Sequence, residues 1–432
     1  MTPQSHFMVV APLAAGREAG LRELLDTMNV TPGMADPANA LLPFGEFEGL
    51  HFARFALLPD TTMSDLEAFD LPRPHVPMYL CFLGECDGPA DEQLAEFVER
   101  AGDGLRQLFS HCEGFGTGAD LLAKLKAHSA PAAAGYVNWI GRTVKHIQQN
   151  SALQRLLSSR VPRDAAAAAI DPQAMRRELL AFVQDEMIAG RLVLTSTERT
   201  PTGWQIGNLM HAVGVPLIGL VLLPLWIVLL PIVIVLLRHH EKTDPEFCPR
   251  PDRAAVREMQ QLEDHDLTNS FTALGPVKPG LFRRYLVQVI LLLIDYASRH
   301  VFGRGHLARV QTIHFARWVF IDGKVRVLFA SSYDGSHESY MDDFVNKAAW
   351  GLNLAFSHGF GWPRTDWLVK GGAHHELRFK YYQRRHQVPT QVWYKAYPGL
   401  TLTDLDRNQR IREGFDMHSM SDEQARAWLR LL

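Results

Sequence analysis

The stretch FLGECDGPADEQLAEFVERAGDGLRQLFSH (residues 82–111) recurs as FASSYDGSHESYMDDFVNKAAWGLNLAFSH (residues 329–358) at a constant offset of 247 residues and without a gap. Phe82 and Phe329, Asp87 and Asp334, Gly88 and Gly335, Phe97 and Phe344, and Gly104 and Gly351 are identical pairs. Working outward, His51-Phe52-Ala53-Arg54 returns as His314-Phe315-Ala316-Arg317, and Phe7, Pro12 and Gly16 match Phe271, Pro276 and Gly280. Downstream, His128, Pro131, Tyr136, Gly141, Thr143 and Asn150 match His386, Pro389, Tyr394, Gly399, Thr401 and Asn408. Four blocks in one order point to a tandem duplication of a unit of about 140–150 residues, the size of one domain.

Each copy reads as strand, helix, strand, strand, helix, strand. The first strand spans 7–13 and 271–276, the first helix 17–29 and 281–301, the second strand 50–58 and 313–321, and the third 78–84 and 326–332. Asp322-Gly323 is a hairpin signal between the last two, and it sets Arg317 opposite Leu328. The long second helix, 91–109 and 338–356, places Leu94, Phe97, Val98, Ala101, Leu105 and Leu108 at helical spacing. A last strand surrounds 136–140 and 391–397. This βαββαβ order is the ferredoxin-like unit. The expected fold class is therefore α+β: two tandem ferredoxin-like modules, 1–150 and 269–415, forming a pseudo-dimeric α+β barrel, with a helical tail at 416–432.

Residues 151–268 belong to neither copy and read as a helical insert without a core of its own. A helix starts at Asp171-Pro172, an N-cap followed by proline at the first helical position. Val213 to Leu237 then runs without a charge and is followed by Arg238, His239, His240 and Lys242. At ~1.5 Å per residue the tract exceeds the ~30 Å core of a bilayer. A single span would separate the two halves, which then could not share a barrel. A hairpin turning near Pro224 keeps both on one face, and Pro216 and Pro231 also interrupt helical hydrogen bonding. An apolar helix buried in an oligomer is the third alternative. The second-copy helix, apolar almost all round from Tyr285 to Ile294, is either buried by the insert or a second membrane contact.

Composition narrows the function. A net charge of −3 with mixed signs leaves no electrostatic footprint for nucleic acid. The four cysteines form no CxxC pair, which points to free thiols in a reducing compartment. No basic stretch leading into an apolar core opens the chain, so no signal peptide is expected. No metal-site, nucleotide-binding or nucleophile-elbow motif appears.

Alternation places His314 and Arg317 on opposite faces of their strand, Arg317 beside Ile313, Phe315 and Val319. A guanidinium there needs a buried partner or an anionic ligand. Asp87-Gly88 and Asp334-Gly335 sit where the third strand meets the long helix, a place for turn and capping chemistry. His111 and His358 end the long helices, where a cation favours the helix dipole. Arg384-Arg385-His386-Gln387 with Trp393, Tyr394 and Tyr397 is the densest polar and aromatic cluster, either a solvated loop or a pocket rim for an anionic group.

Two such halves resemble the dimeric α+β barrel superfamily. Gly84-Glu85-Cys86-Asp87-Gly88 is similar to the GxxDG motif of dye-decolourising peroxidases, haem enzymes of two ferredoxin-like halves. That resemblance implies a distal-pocket role for Asp87, with Asp334, Arg317 and His386 as further catalytic candidates. It also implies haem as a cofactor, with His358, His386 or His314 as ligand and Arg384, Arg385 and Tyr394 around it. The second copy lacks the first glycine, reading Ser331-Ser332-Tyr333-Asp334-Gly335. The strings Lys278-Pro279-Gly280, His314-Phe315-Ala316-Arg317-Trp318 and Arg385-His386-Gln387-Val388-Pro389-Thr390-Gln391-Val392-Trp393-Tyr394 resemble uncharacterised bacterial membrane-associated proteins. The expected function is a membrane-attached protein holding a hydrophobic or amphipathic ligand, lipid or haem, between its halves. A haem-dependent peroxidase and a non-catalytic scaffold are the alternatives. Expected partners are membrane lipid, a peroxidase-type protein and a second copy of the chain, at the cytoplasmic face of a bacterial inner membrane.

Overall fold

The computed structural model describes residues 1–116, 118–161, 171–303, 305, 307 and 309–432. It is a mixed α+β structure. Two four-stranded antiparallel sheets have the same internal order. In chain order the strands are β1 (Gln4–Pro12), β2 (Leu50–Leu58), β3 (Tyr79–Asp87), β4 (Ala134–Val137), β5 (Thr268–Pro276), β6 (Ile313–Ile321), β7 (Arg326–Asp334) and β8 (Thr390–Lys395). The first sheet runs β1-β3-β2-β8 and the second β5-β7-β6-β4.

The last strand of each half is therefore exchanged: β4 pairs with β6, and β8 pairs with β2. Before exchanging, each segment touches its own sheet. Ala130 N–H donates to Met8 O and Val10 N–H to His128 O, both at 2.9 Å. Val388 N–H likewise donates to Thr272 O at 2.8 Å. Both long edges are thus stitched across, which removes the open edges a free sheet would present. The expected Asp322-Gly323 hairpin is a four-residue connection, Asp322 to Val325, so Arg317 faces Ala330 rather than Leu328.

Strand alternation sorts the side chains into layers. Met8, Ala56, Leu58, Cys81, Leu83, Leu274, Val319, Leu328 and Ala330 meet between the sheets. Phe7, Val9, Phe55 and Phe82 face outward under α1 (Glu18–Asp26) and α2 (Ala90–Phe109). Phe271, Ala316, Trp318 and Phe329 face outward under α7 (Leu281–His300), α8 (His337–Asp343), α9 (Ala349–Phe356) and α10 (Glu376–His386). Both long helices break at one aligned residue. Ala101 has φ −133° inside α2, and Ala348, with φ −129°, closes a π turn over Phe344–Ala348 between α8 and α9.

The insert does contribute a core, contrary to the sequence reading. Leu153 and Leu157 of α3 (Val144–Ser158), Leu179 and Val183 of α4 (Pro172–Ile188), Ile411 of α11 (Leu402–Asp416) and Trp428 of α12 (Asp422–Leu429) pack together. Asp171 caps α4 as its sequence implies.

The apolar tract forms α5 (Thr202–Val221) and α6 (Leu223–Thr243), each long and apolar enough to cross a membrane by length and composition. Their apolar side chains are exposed, Val221 70% and Val228 66%. Both arms return to one helix. Tyr296 of α7 donates to Ala212 O at 3.1 Å, and Phe282 at the other end of α7 stacks on His240. A straight helix from Ala212 to His240 would be roughly 42 Å long, whereas Phe282 to Tyr296 spans only about 21 Å. The tract must bend, and it does so at Leu222 (φ −83°, ψ 0°), two residues before Pro224. The result is an open V with an apolar tip.

Candidate functional site

The space between the sheets is crossed by two arginines in reciprocal geometry. Arg317 donates to Phe7 O at 2.6 Å, to Gly84 O at 2.7 Å and to the Glu85 carboxylate. Arg54 donates to Phe271 O and Ser331 O, both at 3.1 Å, and to Thr272 and Ser332 hydroxyls at 3.2 Å. Phe7 and Phe271, and Gly84 and Ser331, are aligned positions, so each half supplies the arginine that the other half's carbonyls receive. Symmetry breaks at one place, where Glu85 aligns with Ser332. Two guanidiniums therefore share one carboxylate. Burial opposes ionisation of Glu85, but Arg317, with His6 and Arg54, outweighs it and holds the carboxyl at about 2. Burial pushes Arg54 down to about 10. Arg317 thus has an internal partner and no opening for a ligand.

At one end of the space between the sheets stand two His–Asp pairs. His51 Nε2 lies 3.1 Å from Asp87 Oδ1, and His314 Nε2 lies 2.7 Å from Asp334 Oδ1. The second carboxylate oxygens accept the N–H of Val144 at 2.9 Å and of Leu402 at 2.7 Å, the first residues of α3 and α11. Tyr397 OH is 3.1 Å from His51 Nδ1. Both aspartates are thus fully engaged as anchors of helix N-termini, where a negative charge is favoured. His314 does not lie on the face opposite Arg317 in the simple sense of alternation. A bulge between Ile313 and Phe315 turns its ring toward Phe52 and Tyr397, and sends Ile313 outward instead.

The remaining candidates are dispersed. His358 and His386 do meet, with Tyr382, around a cavity of about 30 Å³. Burial pushes His386 down to about 4 and His358 well below its ordinary range. Arg384 pairs with Glu263 at 2.7 Å, and Arg385 with Asp65 of the first half. Tyr394 packs on Phe44 beneath the helices of the first sheet, away from His386. A haem does not fit these residues. The His358–His386 cavity has room for a water or two, and the space beside His314 is about 20 Å³. Ligand pockets start near 300 Å³; a cleft of about 520 Å³ beside Arg384 and Arg385 exceeds that but has no histidine among its described lining residues.

An apolar pocket of about that size lies on the outer side of the second sheet. It measures about 300 Å³ and is lined by Ile294 and Phe302, by Trp318 and Phe329, and by Ala348 and Gly351 beyond the π turn. Leu293 and Trp350 line it too and are 57% and 46% exposed, so its mouth is apolar. Its polar groups are the Ser298 hydroxyl and the Trp318 indole N–H, both buried and without a hydrogen-bond partner among the described residues. At the aligned position of the first half that space is closed, because Leu41 approaches Gly104 so closely that a Cβ there would lie 1.8 Å from Leu41 O. Around Gly351 the same position is open. The connection from first helix to second strand is longer in the first half, and its Leu41, Leu42 and Phe44 fill the site.

Comparison with known proteins finds no matching family model, curated protein or solved structure. The sequence had singled out the repeated His-Phe-Ala-Arg string but not His51, Arg54 or Glu85 as site residues. The repeat itself was the available signal, since an arginine kept in both copies of an apolar strand demands two partners. Nothing along the chain marked the apolar pocket, which arises from the length difference between two loops.

Proposed function

We propose that the chain is a tandem duplication of one ferredoxin-like unit whose exchanged last strands close a barrel. The V of α5 and α6 dips into one leaflet, and the second half takes an apolar chain from the bilayer into the pocket beneath α7. The observation carrying this reading is the pocket's apolar mouth. Leu293 and Trp350 belong to an exposed apolar surface with Tyr285 and Leu292 of α7, continuous with the helix on which both arms of the V rest. An exposed apolar surface of this kind marks a membrane or ligand contact. The ligand is a lipid-like chain in the second half, not one enclosed between the halves, because side chains fill the barrel interior.

Energetics say what kind of chain. Moving a tail from bilayer to apolar pocket yields almost no hydrophobic gain, since both surroundings are apolar. Selection must come from shape and from Ser298, whose hydroxyl suits a ligand with an ester or hydroxyl near the buried end. A hydrogen bond of this type contributes about 0.5–1.5 kcal/mol.

Lipid extracted from detergent-purified protein and identified by mass spectrometry tests this. Gly351→Phe, which fills the pocket, is expected to abolish the co-purifying species while leaving membrane attachment intact. Unchanged lipid content in that variant, or none in the wild type, would refute the assignment.

A further inference from the structure

Beyond the apolar pocket, we infer that a cleft at the barrel end, built on Arg142 and the first turns of α11, binds a phosphate group. The cleft is about 290 Å³ and is lined by Asn138, Arg142, Thr403, Asp406, Arg407 and Arg410, among others. Arg142 is the anchor. It is 8% exposed, its guanidinium lies 4.1 Å from the Trp139 ring centre, and both Nε and Nη2 lack hydrogen-bond partners among the described residues. Its nearest carboxylate oxygen, on Asp406, is 3.8 Å from Nη2, too far for a hydrogen bond. A buried guanidinium with two unused donors has given up its water without replacement, a state that an oxyanion would relieve.

The surroundings favour the same charge. Arg410 makes no ion pair among the described residues, and Arg407 is held at 3.0 Å by Asp404. Three guanidiniums thus face one lining carboxylate, Asp406. Leu402 and Thr403 at the start of α11 form part of the wall. The Leu402 N–H is already taken by Asp334 and the Asp404 N–H by Thr401, so the positive charge of the cleft comes from its arginines. Arginine's planar fork matches phosphate oxygens in pairs.

The phosphate could belong to a soluble molecule or to a lipid headgroup. Gly305, which lines the cleft, follows closely on the end of α7, where Arg299 holds Asn208 of α5 at 2.8 Å. This puts the cleft near the base of the V. Phosphate binding here does not depend on the apolar pocket being occupied.

Calorimetry on the detergent-purified full chain, with pyrophosphate, dioctanoyl phosphatidic acid and dioctanoyl glycerol as probes, separates the cases. Saturable binding of pyrophosphate as tight as that of phosphatidic acid identifies a soluble source. Phosphatidic acid bound at least tenfold tighter than both others identifies a headgroup. In either case Arg142→Gln should weaken binding roughly 10- to 100-fold. The double variant Arg407→Gln/Arg410→Gln, at residues outside the buried core, should weaken it about threefold to tenfold. The inference is overturned if neither phosphate probe binds, if dioctanoyl glycerol binds as well as the acid, or if both variants bind like the wild type.

Discussion

Replacing Glu85 by glutamine is the sharpest test of how the two sheets are held together. In the native fold Glu85 is, among the described residues, the carboxylate set beside two buried guanidiniums, Arg317 and Arg54. The amide would keep the shape and leave both cations without a counter-charge. The carboxyl sits at about 2 rather than 4.5, and at roughly 1.4 kcal/mol per pH unit this is about 3 kcal/mol favouring the carboxylate in the folded chain. Breaking a buried pair from one side costs about 3–5 kcal/mol by general experience, so the two figures agree. The sign follows from linkage. A lowered carboxyl stabilises the fold fully above pH 4.5, and this contribution is lost as pH falls from 4.5 through 2. Urea melts of wild type and Glu85→Gln in detergent, followed by tryptophan fluorescence from pH 7 down to pH 3, read both effects. The variant should be about 3–5 kcal/mol less stable at pH 7, with a flatter decline in acid. A loss under about 1 kcal/mol at pH 7 would refute the claim that this ion pair joins the sheets.

Four further outcomes are expected. Gly104→Ala should destabilise by about 1–3 kcal/mol, because its Cβ would strike Leu41 O, while Gly351→Ala should stabilise by up to about 1 kcal/mol; thermal melts of both decide. His386 stays neutral when folded, with its value lowered from 6.5 to about 4 by burial, so it contributes stability above pH 6.5 that is lost as pH falls toward 4. His386→Gln should reduce the pH slope of stability in that window by about one proton, measured by denaturation at several pH values. Val221→Asp at the tip of the V should release the protein into the soluble fraction, since a charge at that depth costs about 2.5–3.5 kcal/mol. In sealed vesicles, protease should reach both halves or neither, and protection of one half alone would defeat the one-sided V.

The sequence made much of the framework legible, and the places where it misled have physical causes. β2 and β6 fall where alternation and the repeat put them, 50–58 and 313–321, because long apolar strands bounded by turns leave little choice. The aligned kink at Ala101 and Ala348 was not legible, since helical spacing continues through both. Arg384, Arg385, His386, Tyr394 and Tyr397 looked like one cluster because they are close in the chain. The strand exchange pulls them apart, leaving the arginines on Glu263 and Asp65, Tyr394 under the first sheet, and Tyr397 against His51. Arg142 carried no local signal at all. Its importance comes from burial without partners, which only packing creates.

By itself the sequence determined that repeated strings flank an apolar, proline-broken tract, because hydrophobic periodicity and repetition are written locally in residue order. The tertiary structure alone decided that the last strands change places and that Arg54 and Arg317 each cross to the other half. It also decided that one half is filled by Leu41 where the other is open beside Gly351. Those outcomes rest on which distant segments meet and how completely they exclude space. Such contacts have no period in the chain, and even an extended repeat between halves does not say which half supplies the partner.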